Sequence, residues 1–508
     1  MLIGYIFGAF VAFIGLLIQV RPRLSNRYFG IDTWRHLTVA DYIRQNKKYP
    51  KLMPEHYLID KPSDYPPLFR FLLALFPKEL LEKYQWIASP IFDLIHNLFI
   101  FSVVYYFTNN IFISILAQVT YMLSPIVIME NSNLTTRSFA SLLFSGCFFS
   151  LICYSVFGNI FCLIASIIFL TILLLSHRMS IQAIVFTLVF FSIIELNFIY
   201  VAVLLASVIL AILFSQGFYL KVLKGHLAMI RFWFIHIDNR YAHQIRGVSK
   251  KEKNPDAVFR IYQIVQNIPF IAVCAANPFM VFVFAYVYLD LFKSYNINTF
   301  GIPEDIFSKF VVWSILLFVI GVIIRQVKRL GCIGEGERYL EYSAFPVAII
   351  IAVFLTNGLI SGQHNVFLVF YLIVAIFGAL LPTLFIQQQV IVKDSKRSVN
   401  KEIREIFGYI NALEGKVNVM TMPLYLADAA TYFTSARLLT TDNSIAHVVD
   451  YSDFWPVLKV PLVDIFKRYD INYILINTQY VQISELNLPS NQIVKESGFY
   501  CLIKVDLI

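Results

Sequence analysis

The feature that most constrains this chain is its series of apolar runs, most of them about as long as a bilayer is thick. Hydrophobic residues make up 58% of the sequence, charged residues only 14%, and the mean hydropathy is +0.69. Soluble domains carry roughly 25% charged residues, and a helix needs about 20 apolar residues to cross the hydrocarbon core. The sequence therefore predicts a polytopic membrane protein built mainly of α-helices.

Nine of the apolar runs predict one transmembrane helix each. These helices are expected near residues 2–20, 85–107, 111–130, 139–157, 159–176, 264–290, 308–328, 343–361 and 365–387. A further run, 181–215, would reach about 52 Å as one helix, well beyond the roughly 30 Å core. Because Glu195 lies at its middle, we interpret it as two short helices, which gives about 11 spans. A single long helix would give 10 spans and place the C-terminus on the opposite side.

The charge distribution bears on orientation and on partners. Lys and Arg counts around the spans favour the 10-span arrangement with a cytoplasmic tail, whereas the functional argument below favours 11 spans. The net charge of +9 is interpreted as basic loops that face anionic lipid headgroups. We therefore expect membrane lipid, and no nucleic acid, as a partner, and a multi-pass location in the cytoplasmic membrane.

The composition changes at about residue 390, which predicts two domains. Residues 1–390 are expected to form the membrane domain, with a long first loop over 21–85, and 391–508 a small soluble α/β domain. Short buried strands at 416–420 and 471–477 and a helix over 426–437 are predicted within that tail. Most connections are roughly 4–6 residues long, so the size of the first loop indicates a functional or folded module.

Two polar segments of the first loop carry the main candidate residues. Asp32 follows the first span closely, and His36 comes one helical turn later, where the two could share a helix face. An acid here can act as a general base or bind a hard cation; alternatively, it caps a helix over 33–45. Asp64 and Tyr65 precede two prolines, which fix the backbone and also suit a plain helix start.

Three later loops carry further polar candidates. Glu130 ends one span and Arg137 begins the next; His177 and Arg178 form a tight turn; Arg338 precedes a late span. Helix N-termini and Arg side chains both favour phosphate, so acids with Arg and His on one membrane face suit a phosphorylated lipid donor. Arg338 is the favoured phosphate ligand, although a charged interfacial loop or a simple anchor are the alternatives. Only the 11-span arrangement puts Arg338 on the side of the first loop.

Four segments together resemble the GT-C superfamily: the first-loop segment around Asp32, Asp-Tyr-Pro-Pro-Leu-Phe at 64–69, Thr-Arg-Ser-Phe at 136–139 and Arg-Tyr-Leu-Glu-Tyr at 338–342. Members of this superfamily are polytopic glycosyltransferases that use polyprenyl-phosphate sugars. The resemblance covers residues 1–390 in architecture and is specific in the first loop.

The resemblance implies roles for two acids. Asp32 matches the catalytic acid of the first loop. Glu130 occupies the region where some members carry an Asp-x-Asp pair that binds a metal, but Glu-Asn-Ser-Asn stands here, which weakens a metal site made by Asp32 and Glu130. The cofactor is left open, with a divalent cation such as Mg²⁺ or Mn²⁺ as the candidate. A Trp-Trp-Asp acceptor motif is missing from the sequence, which argues against an oligosaccharyltransferase.

These expectations combine into a glycosyltransferase, and the resemblance implies that it inverts the configuration of the sugar. It would move a sugar from a polyprenyl-phosphate carrier to an unidentified acceptor at the outer face of the cytoplasmic membrane. The alternative is a transporter or lipid flippase of the cell envelope. Transporters usually show internal repeats and ionisable groups near the midplane; here no repeat is found and Glu195 is the clear midplane acid. An inactive protein of the same fold is a third reading, because fold does not fix function.

Overall fold

The computed structural model describes residues 2–30, 32–59, 64–240, 242–248, 267–293, 297–361, 365–394, 397–441, 452–488 and 492–505. The chain forms two compact units, each made of three segments. The helical unit comprises Met1–Ser25, Trp86–Tyr219 and Asn254–Val392. The sheet unit comprises Asn26–Gln85, Leu220–Lys253 and Lys393–Ile508.

The secondary structure is mostly helical. The helices are α1 (Leu2–Ser25), α2 (Asp32–Asn46), α3 (Leu68–Ala74), α4 (Lys78–Thr108), α5 (Ile111–Met122), α6 (Pro125–Asn131), α7 (Arg137–Phe157), α8 (Ile160–Leu174), α9 (Arg178–Ile194), α10 (Ile199–Phe214), α11 (Phe218–Ile235), α12 (Pro269–Ala276), α13 (Met280–Lys293), α14 (Glu304–Gln326), α15 (Ala344–Ser361), α16 (Asn365–Ile373), α17 (Leu381–Gln387), α18 (Lys401–Asn411), α19 (Leu426–Phe433) and α20 (Leu462–Tyr469). The strands are β1 (Asn418–Met422), β2 (Arg437–Leu438), β3 (Tyr473–Asn477), β4 (Ile493–Ser497) and β5 (Tyr500–Lys504).

Within the described residues, six helices are long and apolar enough to cross a membrane: Leu2–Ser25, Lys78–Thr108, Arg137–Phe157, Glu304–Gln326, Gly336–Ile360 and Val366–Val392. Three pairs of helices bent at short breaks would raise the number to nine. The prediction of a polytopic, mainly α-helical membrane protein is confirmed. The number is below the predicted 11 because α8 and α9, with 15 and 17 residues, are shorter than the other spans. Residues 264–266 of one predicted span lie outside the described residues.

The long apolar run over 181–215 is broken into two helices, as predicted. Leu196 adopts φ of +49° between α9 and α10, and the neighbouring Glu195 accepts a hydrogen bond from the Tyr200 hydroxyl at 2.7 Å. The Glu195 carboxylate also pairs with Lys309 of α14. The break places Glu195 at the C-terminal end of α9, where it is partly exposed, rather than in the middle of one long helix.

The sheet unit is built on five strands in the order β2-β1-β3-β5-β4. β1 pairs in parallel with β2 and β3, whereas β5 pairs antiparallel with β3 and β4. All five residues of β1 are buried, as short apolar runs bounded by polar residues predict for central strands. The predicted strands at 416–420 and 471–477 correspond to β1 and β3, and the predicted helix over 426–437 to α19.

The first loop belongs to the sheet unit, which corrects a division of the chain at residue 390. Helix α2 packs against α19, where the Trp34 ring lies 4.8 Å from that of Phe433. Tyr57 forms a parallel β-bridge with Leu438, next to β2. The change in composition marks where the apolar spans end, but it carries no information about which polar segments pack together.

The segment that follows α10 also packs into the sheet unit. The Trp455 ring stacks on that of Phe232 with centroids 5.5 Å apart. His243 stacks on Tyr480 at 4.1 Å, and its Nε2 lies 2.8 Å from the Tyr480 carbonyl oxygen. The core of this unit is thus completed by chain segments that are far apart in sequence.

Candidate functional site

Polar loops meet at one end of the helical unit, where α7, α9 and α15 begin. Arg137, the first residue of α7, donates from Nε and Nη2 to Glu341 Oε2 at 3.0 and 2.6 Å. Its Nη1 pairs with Glu130. The Tyr342 hydroxyl lies 3.3 Å from Nδ1 of His177, which caps α9. The loops that carry these residues are therefore on one side, as 11 spans predict and 10 spans do not.

Arg178 and Arg338 belong to the same cluster of loops. Arg178 begins α9 and is buried. The next residue, Met179, lies against Gly334, which adopts φ of +126°, and the terminal methyl of Met179 is 2.8 Å from where a Cβ of residue 334 would be. This close approach brings the loop of Arg338 to the start of α9. The predicted phosphate ligands of the helical unit therefore lie on neighbouring loops.

Arg137 and Arg338 differ in their surroundings. The Arg137 side chain is only 6% exposed and bonds two carboxylates, so much of its donor capacity is used inside the protein. The Arg338 side chain is 38% exposed and donates from Nε to Glu335 Oε2 at 2.7 Å. Of the two, Arg338 is the more exposed.

In the sheet unit, Asp32 is the first residue of α2 and is exposed. The predicted helix after it is present, and an acid at a helix start suits both the capping and the catalytic alternative. His36 is buried; it accepts from Arg70 Nε at 3.3 Å and lies edge-on to Tyr65, with ring centroids 5.9 Å apart. The structure thus joins His36 and Tyr65, two of the three first-loop residues expected to support Asp32.

Asp64, the third supporting residue, is also buried. Its carboxylate lies so close to Gly225 of α11 that any side chain at Gly225 would overlap it. Only a glycine permits this approach of helix backbone to carboxylate. The position fits a residue that fixes the first loop rather than one that contacts a substrate.

The nine candidate residues fall into two groups. The sheet unit carries Asp32, His36, Asp64 and Tyr65, and the helical unit carries Glu130, Arg137, His177, Arg178 and Arg338. Asp32 and Glu130, the candidate metal ligands, belong to different groups, and Glu130 is paired with Arg137. A guanidinium beside a carboxylate repels a bound cation. In the described part of the chain no group of three or more His, Cys, Asp or Glu side chains could hold a metal ion. Glu130, paired in this way, does not fit a metal site, and no step is assigned to a metal ion.

Sequence analysis missed a buried acid within α4. Asp93 is 2% exposed and accepts hydrogen bonds from Gln19 Nε2 at 2.5 Å, the Tyr121 hydroxyl at 2.7 Å and Asn131 Nδ2 at 2.8 Å. The Tyr121 hydroxyl also lies 2.7 Å from Nδ1 of His96. The available signal was two polar residues, Asp93 and His96, three positions apart inside an apolar run, where ionisable groups are rare and often functional.

This network holds the C-terminal end of α6, which carries Glu130, and the loop that follows it. Asn131 bonds the network, and the next residue, Ser132, is held from two other helices. Arg23 Nη1 donates to the Ser132 carbonyl at 3.0 Å, and Gln387 Nε2 donates to its hydroxyl oxygen at 3.1 Å. The loop is therefore fixed by side chains from α1, α4 and α17.

The same contacts define the topology of the helical unit. Arg23 lies near the end of α1 and Gln387 at the end of α17, and both contact Ser132 beside the candidate loops. The chain thus leaves the helical unit after Ser25 and after Val392 at the end where these loops lie.

We expect that cysteines introduced at Lys328 and Ser435 react with an impermeant reagent from one side of the membrane, whereas a cysteine at Asn197 reacts only from the other. Lys328 lies beside the candidate loops, Ser435 is exposed in the tail, and Asn197 lies at the break between α9 and α10. Labelling of intact and permeabilised cells, in a chain whose six native cysteines are replaced, measures this. Equal access for Lys328 and Asn197 would contradict the topology.

Neither a protein-family profile nor a curated relative matches the sequence. The structure resembles AglB, the oligosaccharyltransferase of Archaeoglobus fulgidus, in complex with an inhibitory peptide and a dolichol-phosphate: TM-score 0.58, 11% identity, 93% of this chain and 69% of AglB. The complex of the Archaeoglobus fulgidus enzyme with Zn and sulfate has a TM-score of 0.58 and 11% identity, and the match covers 92% of this chain and 68% of that enzyme. ArnT of Cupriavidus metallidurans bound to undecaprenyl phosphate has a TM-score of 0.42 and 12% identity, and the match covers 97% of each chain. The likeness to AglB shows a shared fold and agrees with the architecture predicted from the sequence.

Proposed function

We propose that this chain, which has the GT-C fold, is a membrane glycosyltransferase that moves a sugar from a polyprenyl-phosphate carrier to an acceptor at the outer face of the cytoplasmic membrane. The observation that carries the proposal is the cluster of Arg178, His177 and Arg338 on neighbouring loops at one end of the helical unit. Cationic side chains that lie next to one another near helix N-termini can bind the phosphate of a lipid carrier. AglB, with the same fold, has been solved with a dolichol-phosphate.

The reaction we propose is a displacement at the anomeric carbon of the donor sugar. Asp32 takes the proton of the acceptor hydroxyl, and the acceptor oxygen forms the new bond to the anomeric carbon. The bond from that carbon to the carrier phosphate oxygen breaks, and the phosphate leaves with the electron pair. Inversion at this carbon is what the family resemblance implies.

The departing phosphate gains negative charge, which needs stabilisation as the bond breaks. Arg338 offers an accessible planar guanidinium, which can bind two phosphate oxygens at once. Arg178 and His177 add positive or hydrogen-bonding groups at the start of α9, where backbone N–H groups favour an anion. Arg137 is the weakest candidate because two carboxylates already occupy it.

The function is tested with the purified protein in nanodiscs that contain a polyprenyl-phosphate sugar and a crude acceptor extract. Mass spectrometry should detect free carrier phosphate and a glycosylated product. Movement of the carrier lipid across the bilayer without release of sugar would favour the flippase alternative and contradict the proposal.

Arg338→Lys is expected to weaken donor binding by about tenfold, while acceptor use changes little. Lysine keeps the charge but loses the two-pronged geometry of the guanidinium, and a tenfold loss corresponds to about 1.4 kcal/mol. A direct binding assay with the polyprenyl-phosphate sugar measures it.

Arg325→Lys is the matched control, because Arg325 pairs with Glu337 in a similar way and is not a candidate ligand. If Arg338→Lys and Arg338→Ala bind the donor as the unmodified protein does, the loop is only a charged interfacial turn. Arg178 would then be the better phosphate ligand.

A further inference from the structure

The sheet unit contains a polar cavity of about 560 Å³ that none of the roles above uses. One face of α2 forms a wall of this cavity, because the lining residues of this helix are three or four positions apart, as residues on one helix face are. α19 and the segment before α3 form other walls. The lining residues are Thr38, Asp41, Tyr42, Gln45, Asn46, Glu55, His56, Lys78, Thr431, Tyr432 and Thr434.

The charges in this cavity do not favour an anion. Asp41 binds Arg44 at 2.6 Å and Lys78 at 3.2 Å, so the charge of the one lining lysine is partly balanced. Glu55 adds a negative charge. Burial lowers the pKa of His56 below its usual value, which keeps the imidazole neutral at neutral pH. A phosphate would therefore gain little here, in contrast to the loops of the helical unit.

The remaining groups offer both donors and acceptors of hydrogen bonds. The hydroxyl of Thr431 donates to the Ala427 carbonyl at 2.8 Å and that of Thr434 to the Ala430 carbonyl at 2.7 Å. The Thr434 oxygen also accepts from the Ala436 backbone N–H at 3.3 Å, and its second lone pair can accept from a ligand. Gln45 Nε2 donates one hydrogen to Asp41 and the neighbouring Asn46 Nδ2 donates one to the Tyr42 carbonyl, and each amide has a second N–H and a carbonyl oxygen that can bond a ligand.

An aromatic ring also borders the cavity. The Tyr432 ring packs against Trp34, with centroids 5.4 Å apart, and Lys78 Nζ lies 5.5 Å from the Tyr432 centroid. A ring fixed in this way can contact the apolar C–H face of a ligand. Few ligands other than a sugar present many hydroxyls together with such a face.

We infer that this cavity binds an uncharged, hydroxyl-rich carbohydrate. The inference deepens the proposed function and rests on it for its biological meaning: the cavity would hold part of the substrate glycan away from the reacting sugar. Asp41 lies about 13 Å from Asp32 along α2, at 1.5 Å per residue. Glycan held there is separated from the reacting centre yet positioned by the same helix.

Binding is tested by saturation-transfer NMR on the purified full-length protein, with a panel of uncharged disaccharides and with glucose 1-phosphate. Saturation transfer to one or more of the uncharged sugars is expected, and none to glucose 1-phosphate. Gln45→Trp fills the cavity from an exposed position and should weaken binding at least tenfold. Gln482→Trp, at an exposed glutamine of the same unit outside the cavity, should leave binding unchanged, and thermal melting checks that both variants fold.

The inference is overturned if no uncharged sugar receives saturation, if Gln45→Trp binds as before, or if glucose 1-phosphate binds at least as well. These outcomes are distinct from a failure of the proposed function. If sugar binds in the cavity but no carrier phosphate is released, the cavity is a carbohydrate site and the proposed transferase activity is wrong. If carrier phosphate is released but no sugar binds in the cavity, only the inference about the cavity is wrong.

Discussion

Asp32→Asn is expected to abolish sugar transfer while the protein remains folded and inserted. Asparagine keeps the shape of the side chain but cannot take the proton of the acceptor hydroxyl, and loss of a general base commonly costs about 10²–10⁴ in rate. Asparagine is also as good as aspartate at a helix start, so the substitution separates catalysis from capping. The rate of carrier phosphate release at saturating donor measures the effect.

Asp464→Asn is the matched control for this experiment. Asp464 is an exposed acid in the first turn of α20, in the same unit as Asp32. The Asp464→Asn variant should transfer sugar at the same rate as the unmodified protein. Normal activity in Asp32→Asn would end its assignment as the base and leave Asp32 as a residue that stabilises the start of α2.

Arg137→Ala is expected to have the largest effect on stability, about 3–5 kcal/mol, because it leaves a buried carboxylate without its partner. The Glu341 side chain is 1% exposed and receives two hydrogen bonds from Arg137. Thermal unfolding of the detergent-purified protein measures the loss.

The exposed pair of Arg338 and Glu335 provides the comparison. Arg338→Ala should cost about 0–1 kcal/mol, as exposed ion pairs do. Replacing both Arg137 and Glu341 by leucine should recover much of the loss, because well-packed apolar residues often substitute for a buried pair. Equal melting of Arg137→Ala and Arg338→Ala would show that the buried pair does not stabilise the fold.

Local features of the sequence predicted the parts of the fold that depend on local physics. The length of the 181–215 run and the charge of Glu195 required a break, and the structure has one. That break in turn predicted which loops share an end of the helical unit. Short apolar runs between polar residues likewise predicted β1 and β3.

Contacts between distant segments could not be predicted in this way. Glu341 was only a neighbour of Arg338 in the sequence, yet it pairs with Arg137, 204 residues away. Gly225 accommodates Asp64, which lies in another segment of the sheet unit. The sequence around either residue gives no indication that the two are in contact. The same limit explains why the first loop was assigned to the membrane domain.

The three-segment construction of the sheet unit has a consequence for biosynthesis. About 300 residues, most of them in apolar helices, separate Gln85 from Lys393. About 400 residues separate Asp32 from the end of α19, so at about 5–20 residues per second Asp32 waits about 20–80 s before β1 and α19 exist. Trp34 and Tyr57, both buried in the finished unit, are without their final partners during that interval. Maturation of the first loop therefore waits for the synthesis of β1 and α19.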